Sequence, residues 1–292
     1  MTSLPFVKMH GLGNDFVMLR HEDLALEQQT DAALSDLAKQ VCDRHWGVGA
    51  DGLIVALPAS EQSEAVRRFA YWNSDGSVSA MCGNGIRCFA LYLKDLGLVT
   101  GNSVTVETAI GLRTLVFTNV DLITVDMGAP ILEAQAIPAD WQALGLSSQN
   151  DSVIQHAVTI EGQTVPITLV NMGNPHCVIF QDDLGSPLDP TIVGPLLEVH
   201  SLFPQKTNVE FVTQLGDNHW DVVVWERGCG FTQACGTGAC AVAVAVIHTH
   251  KSSGQQRITL PGGDLLIDYN GQTVAMTGPA VVAFTGAVAL AV

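Results

Sequence analysis

The sequence predicts an α/β (α+β) chain built from two similar halves, and three observations carry that expectation. Short runs with strand-like alternation outnumber the stretches with helical spacing. Strand and helix signals alternate along the chain instead of falling into separate blocks. The chain also repeats itself. Cys82-Gly83-Asn84-Gly85 matches Cys235-Gly236-Thr237-Gly238 at an offset of 153 residues (235 − 82 = 153), and Trp72 maps onto Trp225 at the same offset. Chance could supply one such tetrapeptide pair; the aligned tryptophan makes chance a poor explanation. A looser echo pairs Gly13-Asn14 with Gly173-Asn174.

In chain order, Leu4–Lys8 and Phe16–Leu19 read as strands around a glycine turn. Leu34, Leu37, Ala38 and Val41 have helical spacing, which predicts a helix over Asp31–Cys42 with Asp31 as its cap. Leu53–Leu57 and Arg68–Trp72 read as strands, and Gly85–Leu96 as a helix stopped by Gly97. Val104–Glu107, Arg113–Phe117 and Leu122–Met127 alternate like a meander, which Gly128-Ala129-Pro130 breaks.

Beyond that break, Val165–Val170, Cys177–Phe180, Val209–Thr213 and Asp221–Trp225 are the expected strands, with a helix within Ser186–Val199. Another helix is expected after Cys235, although Ala241–Val246 alternates like a strand and helix there rests on the duplication. Leu265–Tyr269 and Thr273–Thr277 flank Asn270-Gly271, a hairpin signal. The run Ala280–Val292 is β-like and is expected to return to the first half. The predicted domains are therefore 1–130 with 279–292, and 131–278.

Length supports two cores: 292 residues is about twice the usual domain size. Apolar residues make up 47% and charged ones 14%, which excludes a disordered polyelectrolyte. The balance of 13 Lys+Arg against 29 Asp+Glu gives −16, a field that repels nucleic acid and anionic membrane, so neither is an expected partner. No apolar run reaches the roughly 18 residues of a membrane span, and Met1–Gly11 does not read as a signal peptide. Seven cysteines in a core-rich chain point to a reducing compartment.

A cysteine at the first turn of a helix, followed by glycines, sits where free N–H groups and the helix dipole favour negative charge, which predicts a lowered thiol pKa. Two such cysteines, Cys82 and Cys235, one from each half, suit inversion at a carbon centre. One thiolate removes a proton and the other thiol delivers one to the opposite face. For cysteines in general, burial as a small apolar side chain is the blander reading, and it is adopted for Cys42, Cys88, Cys177, Cys229 and Cys240. A redox disulfide between Cys82 and Cys235 stays open at this point. Zinc is not expected, because Cys82 and Cys88 are six residues apart and His248-x-His250 lacks partners. Gly47–Gly52 fits GxGxxG as a string, but it follows a helix and precedes a strand, the reverse of the dinucleotide-binding context.

Together the motifs resemble diaminopimelate epimerases. The resembling segments are Lys8–Phe16, Arg44–Gly52, Asn73–Ser77 with Met81–Gly85, Gly173–Cys177, and Glu226–Gly228 with Ala234–Gly238. The resemblance implies two pseudo-symmetric domains, each a curved mixed β-sheet around a central helix, with the site in the cleft between them. It further implies a cofactor-independent isomerase that converts LL-2,6-diaminopimelate to the meso form, for lysine and peptidoglycan synthesis. By motif position, Cys82 and Cys235 carry over as the acid/base pair. Asn14, Asn73, Gly83, Asn84, Asn174, Asn208, Glu226, Arg227, Gly236 and Thr237 carry over as substrate-binding positions, with His176 and Glu226 as catalytic support. A cytoplasmic homodimer taking a small-molecule substrate is also implied, with neither metal nor cofactor.

Chemistry supports several of these roles. Diaminopimelate carries two carboxylates and two ammoniums, and Asn offers both a donor and an acceptor without adding charge. Arg227 can fork onto a carboxylate and Glu226 can receive an ammonium. In a chain at −16, Arg227 and the helix ends must supply the local positive field. Phe231, between Glu226 and Cys235, is bulkier than a polar substrate requires, and His10 and Asp15 are read as structural. Two alternatives remain: a proline or hydroxyproline racemase-like enzyme, for which His would be expected where Asn84 stands, and a non-catalytic thiol or binding protein on the same fold.

Overall fold

The computed structural model describes residues 3–119, 121–160 and 162–289. The chain divides into two compact units, Met1–Asp126 with Thr277–Val292, and Met127–Met276. The second unit is thus an uninterrupted segment placed within the first.

In the first unit, Ser3–Gly11 pairs antiparallel with Asn14–Arg20, which runs parallel to Gly52–Leu57, which is antiparallel to Arg68–Asn73. Arg68–Asn73 carries the two-residue strand Val78–Ser79 on one stretch and meets Ser103–Thr108 in parallel on another. The hairpin mates Gly111–Phe117 and Leu122–Asp126 complete that side. On the other side Val281–Ala289 pairs antiparallel with Ser3–Gly11, from Ser3 opposite Ala289 to His10 opposite Val281. Residues 290–292 of the expected C-terminal run lie outside the described residues.

Two helices sandwich this sheet. Helix α1 (Asp31–Cys42) packs Leu34, Leu37, Ala38 and Val41 against Val17, Leu19, Leu53 and Val55. Its cap is Thr30, whose hydroxyl accepts from Ala33 N at 3.2 Å, so the expected cap Asp31 is displaced by one residue. Helix α2 (Gly83–Asp95) packs on strands Ser3–Gly11, Asn14–Arg20, Gly52–Leu57 and Leu122–Asp126. Contact with strands from well-separated parts of the sheet requires the sheet to curl around it. Strand Gly52–Leu57 is buried at every residue because both of its faces are covered, so it reads as a continuous apolar run instead of an alternating one.

The second unit repeats the plan. His156–Ile160 and Gln163–Asn171 are antiparallel, Gln163–Asn171 and Pro175–Phe180 antiparallel, and Pro175–Phe180 and Asn208–Gly216 parallel. Asn208–Gly216 is antiparallel to His219–Glu226, which carries the short strand Gly230–Phe231 and runs parallel to Gln256–Leu260, itself antiparallel to Gly263–Tyr269. Helix α3 (Pro190–Glu198), capped by Asp189, occupies the place of α1 in the order of elements, and α4 (Gly236–His248) the place of α2. A turn at Asn270-Gly271 is closed by the Asn270 side chain, which accepts from Gln272 N and Thr273 N, both at 2.9 Å.

Helix α4 resolves the ambiguity over Ala241–Val246. Every residue from Ala239 to Val246 is fully buried, and a helix enclosed by its sheet is apolar all round. Alternating Ala and Val mimic a strand pattern there. Burial of each Val, worth about 1.5–3 kcal/mol, outweighs its weak helix propensity. Strands His156–Ile160 and Gln256–Leu260 were not expected from the sequence. No helix among the described residues is long and apolar enough to cross a membrane.

Candidate active site

Each unit places its cysteine at the N-cap of its central helix. Cys82 adopts extended dihedrals (φ −142°, ψ 118°), its carbonyl accepts the first helical bond from Ile86 N at 2.8 Å, and its Sγ receives Gly85 N at 3.4 Å. Cys235 does the same (φ −116°, ψ 105°), with Ala239 N on its carbonyl at 3.0 Å and Gly238 N on its Sγ at 3.4 Å. Both helices therefore begin with a thiol in the role that a Ser or Asp cap normally fills. The glycines are needed for close approach. A Cβ on Gly85 would meet Ile54 Cδ1 at 2.9 Å, and one on Gly238 would meet Glu210 Oε1 at 2.9 Å and Cys235 Sγ at 3.2 Å.

Around Cys82, the Asn14 amide is fixed by its neighbours. Its Nδ2 donates to Asp51 Oδ2 at 2.7 Å, so its Oδ1 faces Cys82 Sγ at 3.7 Å and Asn84 Nδ2 at 3.4 Å. Asp51 is held in turn by Arg44, which also clamps Asp15, and Lys8 bonds Asp15 Oδ2 at 2.7 Å. Burial pushes the Asp15 carboxyl up, but hydrogen bonds from Arg44 and Lys8 outweigh it and hold it down at about 2. The Gly47–Gly52 turn has a concrete task here: Lys8 Nζ bonds the Gly49 carbonyl, and the turn delivers Asp51 to Asn14. Asn84 Oδ1 accepts from the fully buried Arg87 at 2.8 Å, and Arg87 also donates to the Gly83 and Pro279 carbonyls. Asn73 bonds Ser77 Oγ at 2.9 Å and pairs opposite Gly52, next to Asp51 in the chain.

Around Cys235 the polar groups are more deeply buried. Thr237 Oγ1 lies 3.5 Å from Cys235 Sγ. His176 and Glu210, both fully buried, meet at 2.6 Å (Nδ1 to Oε1), and His176 Nε2 lies 3.0 Å from Asn174 Oδ1. Glu226 Oε1 accepts from Thr232 Oγ1. Asn208 is largely committed to the fold: its Nδ2 donates to the Pro175 carbonyl at 2.7 Å and its Oδ1 accepts from Arg227 N at 2.9 Å. Glu198 accepts from Trp225 Nε1 and Gly228 N, so both sides of the Glu226-Arg227 pair are anchored. The Arg227 guanidinium is exposed and donates to the Gln205 carbonyl. Phe231 packs edge-on to Trp225 with centroids 5.0 Å apart, which accounts for its bulk without a substrate.

The expected lowering of both thiols fails at Cys235. Burial, then the nearby Glu226 and Glu210 carboxylates, push its pKa well above 9.0, and the bonds from Thr237 and Gly238 offset only part of this. At neutral pH Cys235 rests as a thiol, a proton donor. Burial also raises Glu226, against the lowering effect of Thr232 and His176.

Sequence reasoning missed Asp51, Glu210, Thr232 and Arg87. Two of them left a trace: Glu210 is an acid inside the apolar strand Asn208–Val212, and Arg87 a base inside the apolar run Ile86–Leu93. Among the described residues, no three His, Cys, Asp or Glu side chains are grouped so as to hold a metal ion.

A model of diaminopimelate epimerases matches residues 6–133 and 168–283. This chain belongs to the diaminopimelate epimerase family. Curated members include one from Desulfitobacterium hafniense, 45% identical over 288 residues that cover 97% of each chain. Another, from Moorella thermoacetica, is 46% identical and covers 96% of this chain and 98% of its own. Among solved structures, a hydroxyproline epimerase from Agrobacterium vitis superposes with a TM-score of 0.65 at 16% identity, covering 99% of this chain and 93% of its own. A phenazine biosynthesis protein of the PhzF family from Bacillus anthracis gives 0.64 at 15% identity, with 99% and 100% covered. These two likenesses establish that the epimerase family shares its fold with proteins of other activity, and the fold alone does not choose among them.

Proposed function

We propose that the chain inverts one α-carbon of diaminopimelate with a thiolate and a thiol drawn from its two halves. As a diaminopimelate epimerase it is an isomerase, and it converts the LL form to the meso form, supplying lysine and peptidoglycan synthesis. In the proposed step one cysteine, as thiolate, takes the α-proton. The resulting carbanion is reprotonated on its other face by the second cysteine, so the thiol and thiolate exchange roles. Cys235, resting as a thiol, delivers the proton when Cys82 is the base, and the reverse reaction runs through the opposite assignment.

The observation that carries this reading is the matched pair of N-cap thiols, each over the first turn of a central helix. First-turn N–H groups have no intrahelical acceptor and suit a substrate carboxylate and the charge that develops beside it. Asn14, Asn73, Asn84, Asn174 and Asn208, with the backbones of Gly83, Gly236 and Thr237, are the proposed substrate contacts. Arg227 is assigned to a carboxylate and Glu226 to an ammonium. His176 and Glu226 are proposed as support for proton transfer. The division at 1–130 with 279–292, and 131–278, is proposed as functional, one thiol to each part.

We also propose a cytoplasmic homodimer with no nucleic-acid or membrane partner. Val281, Val282 and Phe284 are exposed along the outer strand of the first unit, an apolar surface that a second copy would cover. Sedimentation velocity tests the dimer.

The deciding experiment follows deuterium entering the α-carbon of LL-diaminopimelate in D2O, with reductant and without added cofactor, and with proline in parallel. Label in diaminopimelate with meso product supports the reading. Label in proline alone, or in neither from folded reduced protein, overturns it.

A further inference from the structure

The two units carry side chains of different chemistry at one pair of equivalent positions beside the first turn of the cysteine-capped helix. In the first unit Phe16 sits opposite Gly52, and Met18 opposite Ile54, in the parallel ladder. In the second, His176 sits opposite Asn208, and Val178 opposite Glu210, in the matching parallel ladder. Phe16 and Ile54 line the first turn of α2 at Gly85, and Glu210 lines the first turn of α4 at Gly238. His176 and Glu210 therefore stand where the first unit has Phe16 and Ile54.

A buried His–Glu pair is no better for stability than apolar packing of similar volume, and the first unit shows that this backbone accepts apolar side chains there. Among the described residues Glu210 Oε2 meets no hydrogen-bond donor, so the fold supplies a partner to only one of its oxygens. The fold does not require the pair.

Its geometry does have a consequence. His176 presents Nδ1 to Glu210 Oε1 at 2.6 Å and Nε2 to Asn174 Oδ1 at 3.0 Å, so both ring nitrogens face acceptors. With an oxygen at hydrogen-bond distance from each ring nitrogen, the arrangement calls for a donor at both. A ring that donates from Nε2 turns the Asn174 carbonyl inward and leaves its NH2 for a ligand. Asn14, in the matching place of the first unit, is set in the opposite sense: its NH2 is taken by Asp51 and its carbonyl faces Cys82.

We propose that Glu210 is a positioning residue that, through His176, fixes the Asn174 amide as a donor to a carboxylate of the substrate. The proposal rests on the reading of Asn174 as a substrate contact. In Glu210→Gln the amide still accepts from Nδ1 but carries no charge. Nε2 is then free to accept instead of donate, and the Asn174 amide turns its NH2 toward the ring and its carbonyl toward the ligand.

The test combines 15N spectra of the histidine-labelled protein at neutral pH with KM and kcat for LL-diaminopimelate. His176→Asn assigns the His176 signal. Expected are two protonated nitrogens on His176 in the unaltered protein, one in Glu210→Gln, and a KM raised about tenfold in that variant with a smaller change in kcat. Asn174→Ala should raise KM similarly and add little in the Glu210→Gln background. The pair His176→Phe with Glu210→Ile installs the first unit's side chains, keeps the test open if Glu210→Gln does not fold, and should also raise KM about tenfold. An unprotonated Nε2 in the unaltered protein overturns the proposal. So does a KM within twofold of the unaltered value in Glu210→Gln, or in the paired variant where that one does not fold. If Asn174→Ala leaves KM unchanged, the substrate contact itself falls and the proposal with it. If Asn174→Ala raises KM and Glu210→Gln does not, only the role of Glu210 falls.

Discussion

The surroundings of Cys82 and Cys235 are built on one backbone plan, but the first is balanced in charge and the second is acidic. Near Cys82, Asp15 and Asp51 are matched by Lys8 and Arg44, and Arg44 and Asp51 are 57% and 41% exposed, so water and salt screen the network. Near Cys235, Glu210 is fully buried and Glu226 half-buried, and their carboxylates act on a thiol that burial already favours in its protonated form. The repeat thus places two thiols alike at their helix N-caps, and the side chains around each give it a different electrostatic setting. The comparison also explains why a rule that holds for helix N-termini in general fails at Cys235: the dipole contributes a few tenths to 1 kcal/mol, and burial, reinforced by the two carboxylates, exceeds it.

The largest expected effect would break the comparison outright. If the proposed two-thiol step holds, Cys82→Ala and Cys235→Ala should each lower net epimerisation by about 10²–10⁴-fold, the loss of proton transfer on one face. Either variant turning over at the unaltered rate would mean that the halves are not partners in one step.

A second test sharpens the electrostatic side. The Thr232 hydroxyl is what lowers Glu226 against burial, so Thr232→Val should raise that carboxyl further. A carboxylate with a raised pKa is lost at a higher pH as acid is added. The acid limb of kcat/KM should therefore move up by about one pH unit, the equivalent of one charge-assisted hydrogen bond. An unmoved limb would remove Glu226 from the proton balance.

Smaller effects separate the two helix starts. Gly85→Ala meets the terminal methyl of Ile54, which can swing aside, whereas Gly238→Ala meets a Glu210 oxygen already bound to His176. Thermal denaturation should show a loss of about 2 kcal/mol for Gly238→Ala and about 1 for Gly85→Ala. Equal losses would mean that the His176–Glu210 pair is as compliant as a methyl group.

The smallest effect concerns Asp15. Its folded pKa of about 2 lies below the ordinary 3.8, so its ionised form stabilises the protein above that value, and the contribution is lost as pH falls from 3.8 through about 2. Asp15→Asn should cost about 1 kcal/mol at neutral pH once solvent screening at Arg44 is allowed for, and almost nothing near pH 2. Urea titrations at the two pH values check this.

How much of this was legible beforehand follows from which interactions are local. Helix α1 was readable because its apolar spacing lies within one segment, and its cap was misplaced by only one residue. The two N-cap cysteines were readable because the repeat preserved the glycines that must follow them. Glu210 and Asp51 were not, since their partners are 34 and 37 residues away and only strand register brings them together. Arg227 was expected to supply a positive field, and the structure leaves its guanidinium exposed. The Asn208 amide, by contrast, is mostly spent on joining strand to loop.

The pairing of Ser3 with Ala289 joins residues 286 positions apart (289 − 3 = 286), with the whole second unit lying between them in the chain. On the ribosome, the continuous unit, which ends at Met276, emerges whole before Val281–Ala289, the strand that the first unit still needs to close its sheet. Until Val281–Ala289 emerges, the outer edge of Ser3–Gly11 is an open ladder of backbone donors and acceptors, the kind of edge that recruits other chains. Loss of the last dozen residues should therefore act as an aggregation defect that begins in the half synthesised first.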